Sequence, residues 1–171
     1  MSFPQVDWTL SQLASVADAQ PDEHPLTRVD RDDAEVYETG DAVDMAAPMR
    51  TRTAQLKQAN YVGATLASAD RSPIGTEYDY HVDDVVRVRV EGLHHSEWGH
   101  IDPAGQDGVA FAALVDAIQD AIDSAATFPQ VPGEDARYTH LLVTNDDPQS
   151  SDWADFYRYS FDIEFSGYEE R

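Results

Sequence analysis

From Tyr157 to Phe165 the chain alternates without a break. Tyr157, Tyr159, Phe161, Ile163 and Phe165 occupy one parity, and Arg158, Ser160, Asp162 and Glu164 the other. A period of two sustained in this way describes a strand with one face buried and one face wet, and aromatic and β-branched side chains suit that pleated surface. A strand with a wide apolar face needs a second layer to cover it. The chain supplies one: Phe111, Leu114, Val115, Ile118, Ile122 and Ala125 recur at helical spacing. They predict a helix over 108–125 with Asp107 as its N-cap. The aromatic strand is the expected floor beneath that helix.

The remaining segments extend this two-layer plan. Val6, Leu10, Leu13, Ala14 and Ala17 mark a first amphipathic helix over 6–18, with Asp7 as N-cap and Pro21 ending it. Residues 20–33 read as an exposed connection, and 34–38 as a short strand around Val36 and Tyr37. Val62, Ala64 and Leu66 share one face of a strand over 61–68. Tyr78, Tyr80, Val82, Val86, Val88 and Val90 share parity in a second, longer strand. Turn residues from Asp70 to Gly75 join the two as a hairpin. Asp84 interrupts the apolar face and predicts a bulge near Asp83-Asp84. A loop over 92–108 precedes the second helix. Leu141-Leu142-Val143 form a short buried run in a strand over 138–144, and Asn145 to Asp152 a turn. Residues 40–58 have no clear element, since Pro48 opposes a long helix through them. The expected fold is one α+β domain over residues 1–171. Its sheet is mixed and mainly antiparallel, with a projecting β-hairpin and two helices packed on one face.

Charge narrows the partners. Acids number 33 against 11 cations, a formal net charge of -22, and Lys57 is the sole lysine. The periodic segments and 42% hydrophobic content set the chain apart from a disordered polyacid. A fold this acidic repels itself in dilute buffer and needs screening. Low lysine, high aspartate and no cysteine resemble the proteins of extreme halophiles, and imply a cytoplasm at high salt. The absence of Cys excludes disulfides, Cys-ligated zinc and thiol catalysis. The first residues show no signal-peptide pattern, and no apolar run approaches the roughly 18 residues of a membrane span, so no membrane partner is expected. The summed field repels nucleic-acid phosphate.

Two groups of residues carry possible function. His94, His95, Glu97 and His100 cluster in the loop over 92–108, and Glu97 and His100 have the i, i+3 spacing of carboxylate–histidine metal sites. Gly99, Pro103 and Gly105 oppose a helix there, so the same residues also read as a polar loop anchored by Trp98 and Ile101. The scarce cations form the second group. Arg50, Arg52 and Lys57 lie in a segment without acids from Ala46 to Ala69, and Arg87 and Arg89 sit on the polar face of the second hairpin strand. They either neutralise neighbouring aspartates or form a patch for an acidic partner, including another copy of the chain. Depletion of charged residues favours an interface core for the acid-free run. No nucleophile elbow and no phosphate-binding glycine loop is present. The reading therefore includes no catalytic residue and no cofactor.

The order of elements resembles the tail-terminator, or tail-completion, proteins of long-tailed viruses. The matching pieces are Trp8–Ala17, Val36–Glu38, the hairpin from Tyr61 to Val90, the helix Gly108–Ala125, and the strands Tyr138–Thr144 and Tyr157–Ser166. The ending from Tyr157 to Phe165 and the run Val88-Arg89-Val90-Glu91-Gly92 carry the resemblance, which is architectural and spans nearly the whole chain. With the halophile composition it implies a tailed virus or provirus of a haloarchaeon. It further implies a hexameric ring in the virion tail or neck, capping the tail tube and joining it to the head–tail connector proteins. Passing contact with DNA in the lumen would belong to the same role, with no turnover. Alternatives are another head-completion or connector protein at that junction, or a small cytoplasmic metal-binding enzyme using His94, His95, Glu97 and His100.

Overall fold

The computed structural model describes residues 2–22, 24–33, 35–37, 54–56, 58–75, 78–93, 111–149 and 156–170. Helices α1 (Pro4–Gln12) and α2 (Ala14–Asp18) lead into strands β1 (Leu26–Asp30), β2 (Glu35–Val36), β3 (Asn60–Pro73) and β4 (Asp79–Leu93). Helix α3 (Phe111–Asp123) and strands β5 (Arg137–Pro148) and β6 (Phe156–Glu170) follow. The strands form one sheet in the order β2-β1-β3-β4-β6-β5. Among the described strands, β1 and β3 are the only parallel neighbours; the others are antiparallel. The fold is α+β with a mixed, mainly antiparallel sheet, as the patterning predicts. β6 inserts between β4 and β5, so the most aromatic strand lies inside the sheet.

One sheet face carries the core. Val62 and Ala64 of β3, Val82, Val86, Val88 and Val90 of β4, and Phe161, Ile163 and Phe165 of β6 are all buried there. Leu10, Leu13, Leu114, Ile118 and Ile122 pack on them from the helices. Trp8 meets Phe165 edge to face at 5.4 Å, and Phe111 stacks on Tyr157 at 5.2 Å. The first helix starts earlier than its pattern predicts. Pro4 opens it at a position where no backbone N–H is needed. Asp7 therefore lies inside the first turn and does not cap it. Its carboxylate instead accepts hydrogen bonds from Ser2 Oγ (2.5 Å) and from the Tyr37 hydroxyl.

Several further expectations are corrected. Residues 26–30 are a strand buried on both faces, where the acidic composition of 20–33 suggested an exposed connection. Leu26 joins the helix-side core, whereas Val29 joins a second cluster with Leu56, Ala59, Tyr61 and Phe156 on the other face. That face is therefore only partly wet. The bulge lies on β3, between Leu66 and Ser68, opposite Val85 and Val86, and Asp84 stays in register on the core face. The hairpin strand continues to Pro73, so the turn begins at Ile74, with Gly75 at φ 65. In β5, Leu141 is buried but Leu142 is 57% exposed, so this run alternates. β5 also continues to Pro148, through an irregularity between Thr144 and Asp147 that includes Asn145 at φ 53. The cap at Asp107 lies outside the described residues.

Candidate interaction surfaces

The described arginines of the hairpin meet acids on β4 and β6. Arg87 faces Asp162 across the β4–β6 ladder, with Nε–Oδ1 at 2.8 Å and Nη2–Oδ2 at 3.1 Å. These hydrogen bonds raise the Arg87 pKa and lower that of Asp162, which also accepts from Asn145 Nδ2 at 2.9 Å. Half of the Arg87 side chain remains exposed on the open sheet face. Arg89 lies nearer the cluster of Tyr61 and Phe156. There Glu91, fully buried, meets Arg89 Nε at 3.4 Å and Arg158 Nη2 at 2.8 Å. The ion-pairing reading of both arginines thus matches their geometry, and only Arg87 presents a guanidinium outward.

A larger polar cluster forms on the core face, where the sequence offered only an interruption. The single-residue bulge at Ala67 shifts the parity of β3, so Arg71 faces the core where Asp70 or Ser72 would otherwise stand. Arg71 Nη1 meets Asp84 Oδ1 at 2.5 Å and Nε meets Glu169 Oε2 at 2.9 Å. The Tyr138 hydroxyl donates to Asp84. Gln5 Nε2 lies within hydrogen-bond distance of Asp84 Oδ2 (3.1 Å), Glu134 Oε2 (2.6 Å) and Tyr138 Oη (2.9 Å). Burial disfavours the guanidinium's charge, but Asp84 and Glu169 outweigh it and raise the Arg71 pKa. Burial, reinforced by the bond to Asp84, raises that of Tyr138. The cluster ties α1, β3, β4, β5 and β6 together at the hairpin end of the sheet. The sequence signal for it was Asp84 itself, an acid at a core parity position.

Exposed large apolar side chains gather at the same end. Tyr78 and Phe128 are each 63% exposed, Tyr168 is 53% and Ile74 is 41%. An open groove runs between Ile74, Asp79, Asp135, Arg137, Tyr168 and Glu170. It continues past Arg137 and Tyr168 to Phe128. Phe128 has φ 49, a left-handed conformation that a bulky residue rarely adopts. Its N–H donates to Thr139 O at 2.9 Å and its carbonyl accepts from Gln130 Nε2 at 2.9 Å. The backbone is thus held while the ring points to solvent. Nothing in the sequence marked Phe128, because Phe-Pro reads only as a helix stop.

Arg50, Arg52 and Lys57 lie outside the described residues, as do His94, His95, Glu97 and His100. Among the described residues, no group of three or more His, Asp or Glu side chains is arranged to hold a metal ion, and no helix is long and apolar enough to cross a membrane. No protein-family model and no curated protein matches the chain. Among solved structures it is similar to a chain of the virion of a native gene transfer agent particle. The TM-score is 0.40 and the identity 13%, over 64% of this chain and 69% of that one.

Proposed function

We propose that the protein is a ring-forming structural subunit of a virion, a tail terminator that caps the tail tube and joins it to the head–tail connector. The observation that carries this reading is the architecture. The helices form one layer over one face of a single mixed sheet, the long β3–β4 hairpin lies in that sheet with β6 paired along the whole of β4, and two closing strands end the chain. Apart from the added strand β1, this is the element order of the tail-terminator resemblance. It is an arrangement suited to mechanical contact, with an open sheet face and exposed aromatic side chains at one end. The role involves no turnover. Its partners are further copies of the chain, the tail tube protein and the connector proteins, with Arg50 and Arg52 as candidates for subunit contacts or for DNA passing through the lumen. Its location is the virion neck, and synthesis takes place in a host cytoplasm at high salt.

The test is the mass and shape of the purified protein across rising KCl, by light scattering and negative-stain imaging. A closed ring of about six copies is expected, the number the tail-terminator resemblance implies, formed by a heterologous contact whose rotation closes. A monomer at every salt concentration overturns the ring.

A further inference from the structure

The two ends of the sheet differ in a way that bears on how copies would meet. At one end, the groove between Ile74 and Tyr168 is rimmed by Asp79, Asp135 and Glu170, with Arg137 as its cation. Exposed Phe128 lines its continuation past Tyr168, and exposed Tyr78 directly precedes Asp79 in the chain. An aromatic floor with a charged rim is the composition of an interface hot spot. At the other end, Leu56 is fully buried with Tyr61 and Phe156 at the start of β3 and β6. Around Leu56 the chain carries Arg50, Arg52 and Lys57 with no acid between Ala46 and Ala69. In a chain of net charge -22, this is a concentrated positive segment.

Distance prevents one copy from satisfying itself. β3 runs from Asn60 beside the buried Leu56 to Pro73 beside the groove. At about 3.3 Å per residue that is roughly 40 Å. Arg50 is six residues from Leu56 in the sequence, a reach of about 21 Å for a fully extended chain. The positive segment therefore cannot reach its own groove, whereas a neighbour placed end to end brings the two together.

We propose that the groove of one copy receives the acid-free segment of the next, with Arg50 and Arg52 against Asp135 and Glu170, and Phe128 and Tyr168 packing on its apolar residues. The contact rests on the ring reading and specifies it. It joins two different surfaces, which is the condition for a ring or an open filament as opposed to a two-fold dimer. Molar salt weakens the exposed ion pairs, so the packing of Phe128 and Tyr168 carries more of the contact there.

The absence of cysteine makes the test direct. Arg52→Cys and Asp135→Cys chains, each purified alone, are mixed under mild oxidation in molar KCl. Mixed disulfide dimers in excess of the statistical proportion are expected, and Arg50→Glu in the first chain should abolish that excess. A second pair, Arg50→Cys with Gln130→Cys, covers the case in which either first variant fails to fold. The wild-type mass is read in parallel. Preferred mixed dimers with only open chains by mass would uphold the contact and remove the closed ring. Statistical or like-with-like pairing alongside intact wild-type rings would overturn the contact and leave the ring. No cross-link and no assembly would overturn both.

Discussion

At the scale of single residues, the most consequential pair is Arg71 and Asp84. The Asp84 side chain is fully buried, and Arg71 is the cation that compensates it, with Tyr138 and Gln5 as further donors. Glu134 and Glu169 lie beside the same guanidinium. Removing Arg71 would therefore leave a buried carboxylate facing two others. Breaking a buried pair from one side is far costlier than replacing both members. Arg71→Met should lower stability by about 3 kcal/mol in urea unfolding, allowing for the partial exposure of Arg71. Adding Asp84→Asn should recover much of that loss, since the amide still accepts from Tyr138 without a charge to bury. Simple additivity of the two changes would show that the residues do not act as a unit. A reader of the sequence alone sees Asp84 as a flaw in an apolar face. Its partner stays hidden because the Ala67 bulge changes which residues of β3 face inward, and a bulge of one residue leaves no composition signal.

At the scale of elements, legibility followed the length of the pattern. β6, β4 and α3 declare themselves because five or more side chains repeat one period, and their packing partners follow from it. β1 does not, because its five residues carry an arginine and an aspartate and are followed by Arg31, Asp32 and Asp33. Asp30 and Arg28 find partners in structure that the sequence cannot show. Asp30 accepts from Ser2 and from the N–H groups of Asp32 and Asp33, and Arg28 donates to Leu10 O at 2.9 Å. Of the site residues, only Arg87 and Arg89 were placed by parity. The aromatic groove was illegible, because it assembles from three separated segments. The β5–β6 approach offers a check on the irregular part of the sheet. β5 shifts register between Tyr138 and His140, and a Cβ on Gly167 would lie 2.2 Å from Arg137 O and 2.6 Å from Tyr138 Cα. Backbone atoms cannot yield as a flexible side chain can. Gly167→Ala should cost about 3 kcal/mol or more, at the top of the range for overpacking. Gly75→Ala should cost only about 1 kcal/mol, the penalty of a left-handed residue, because nothing lies near its Cβ. Equal losses in thermal unfolding would mean that β5 does not approach β6 this closely at Gly167.

For the whole molecule, the question is how a chain of net charge -22 stays folded. Its internal ion pairs do not answer it. Asp84 with Arg71 and Glu91 with Arg158 are buried, where added salt screens little. The salt-sensitive term is repulsion among exposed acids. A compact chain of this length has a radius of gyration of about 15 Å. At 0.1 M salt the Debye length is about 10 Å and at 1 M about 3 Å, so screening passes from partial to nearly complete between those limits. The urea midpoint should therefore rise steeply over that interval of KCl and flatten above it, and tetramethylammonium chloride should act similarly if screening is the cause. α3 isolates one part of the effect. Asp116, Asp120 and Asp123 are exposed along one side of it, at spacings of four and three residues. The last two also lie toward its C-terminus, where the helix dipole disfavours a negative charge. Asparagine has nearly the same helix propensity as aspartate, so replacing all three by Asn changes the charge with little effect on propensity. The triple variant should gain about 0.5–1 kcal/mol at 0.1 M KCl from relieved like-charge pairs and nothing measurable at molar KCl. A gain of equal size at both concentrations would place the effect in the helix itself and remove self-repulsion along α3 as its cause.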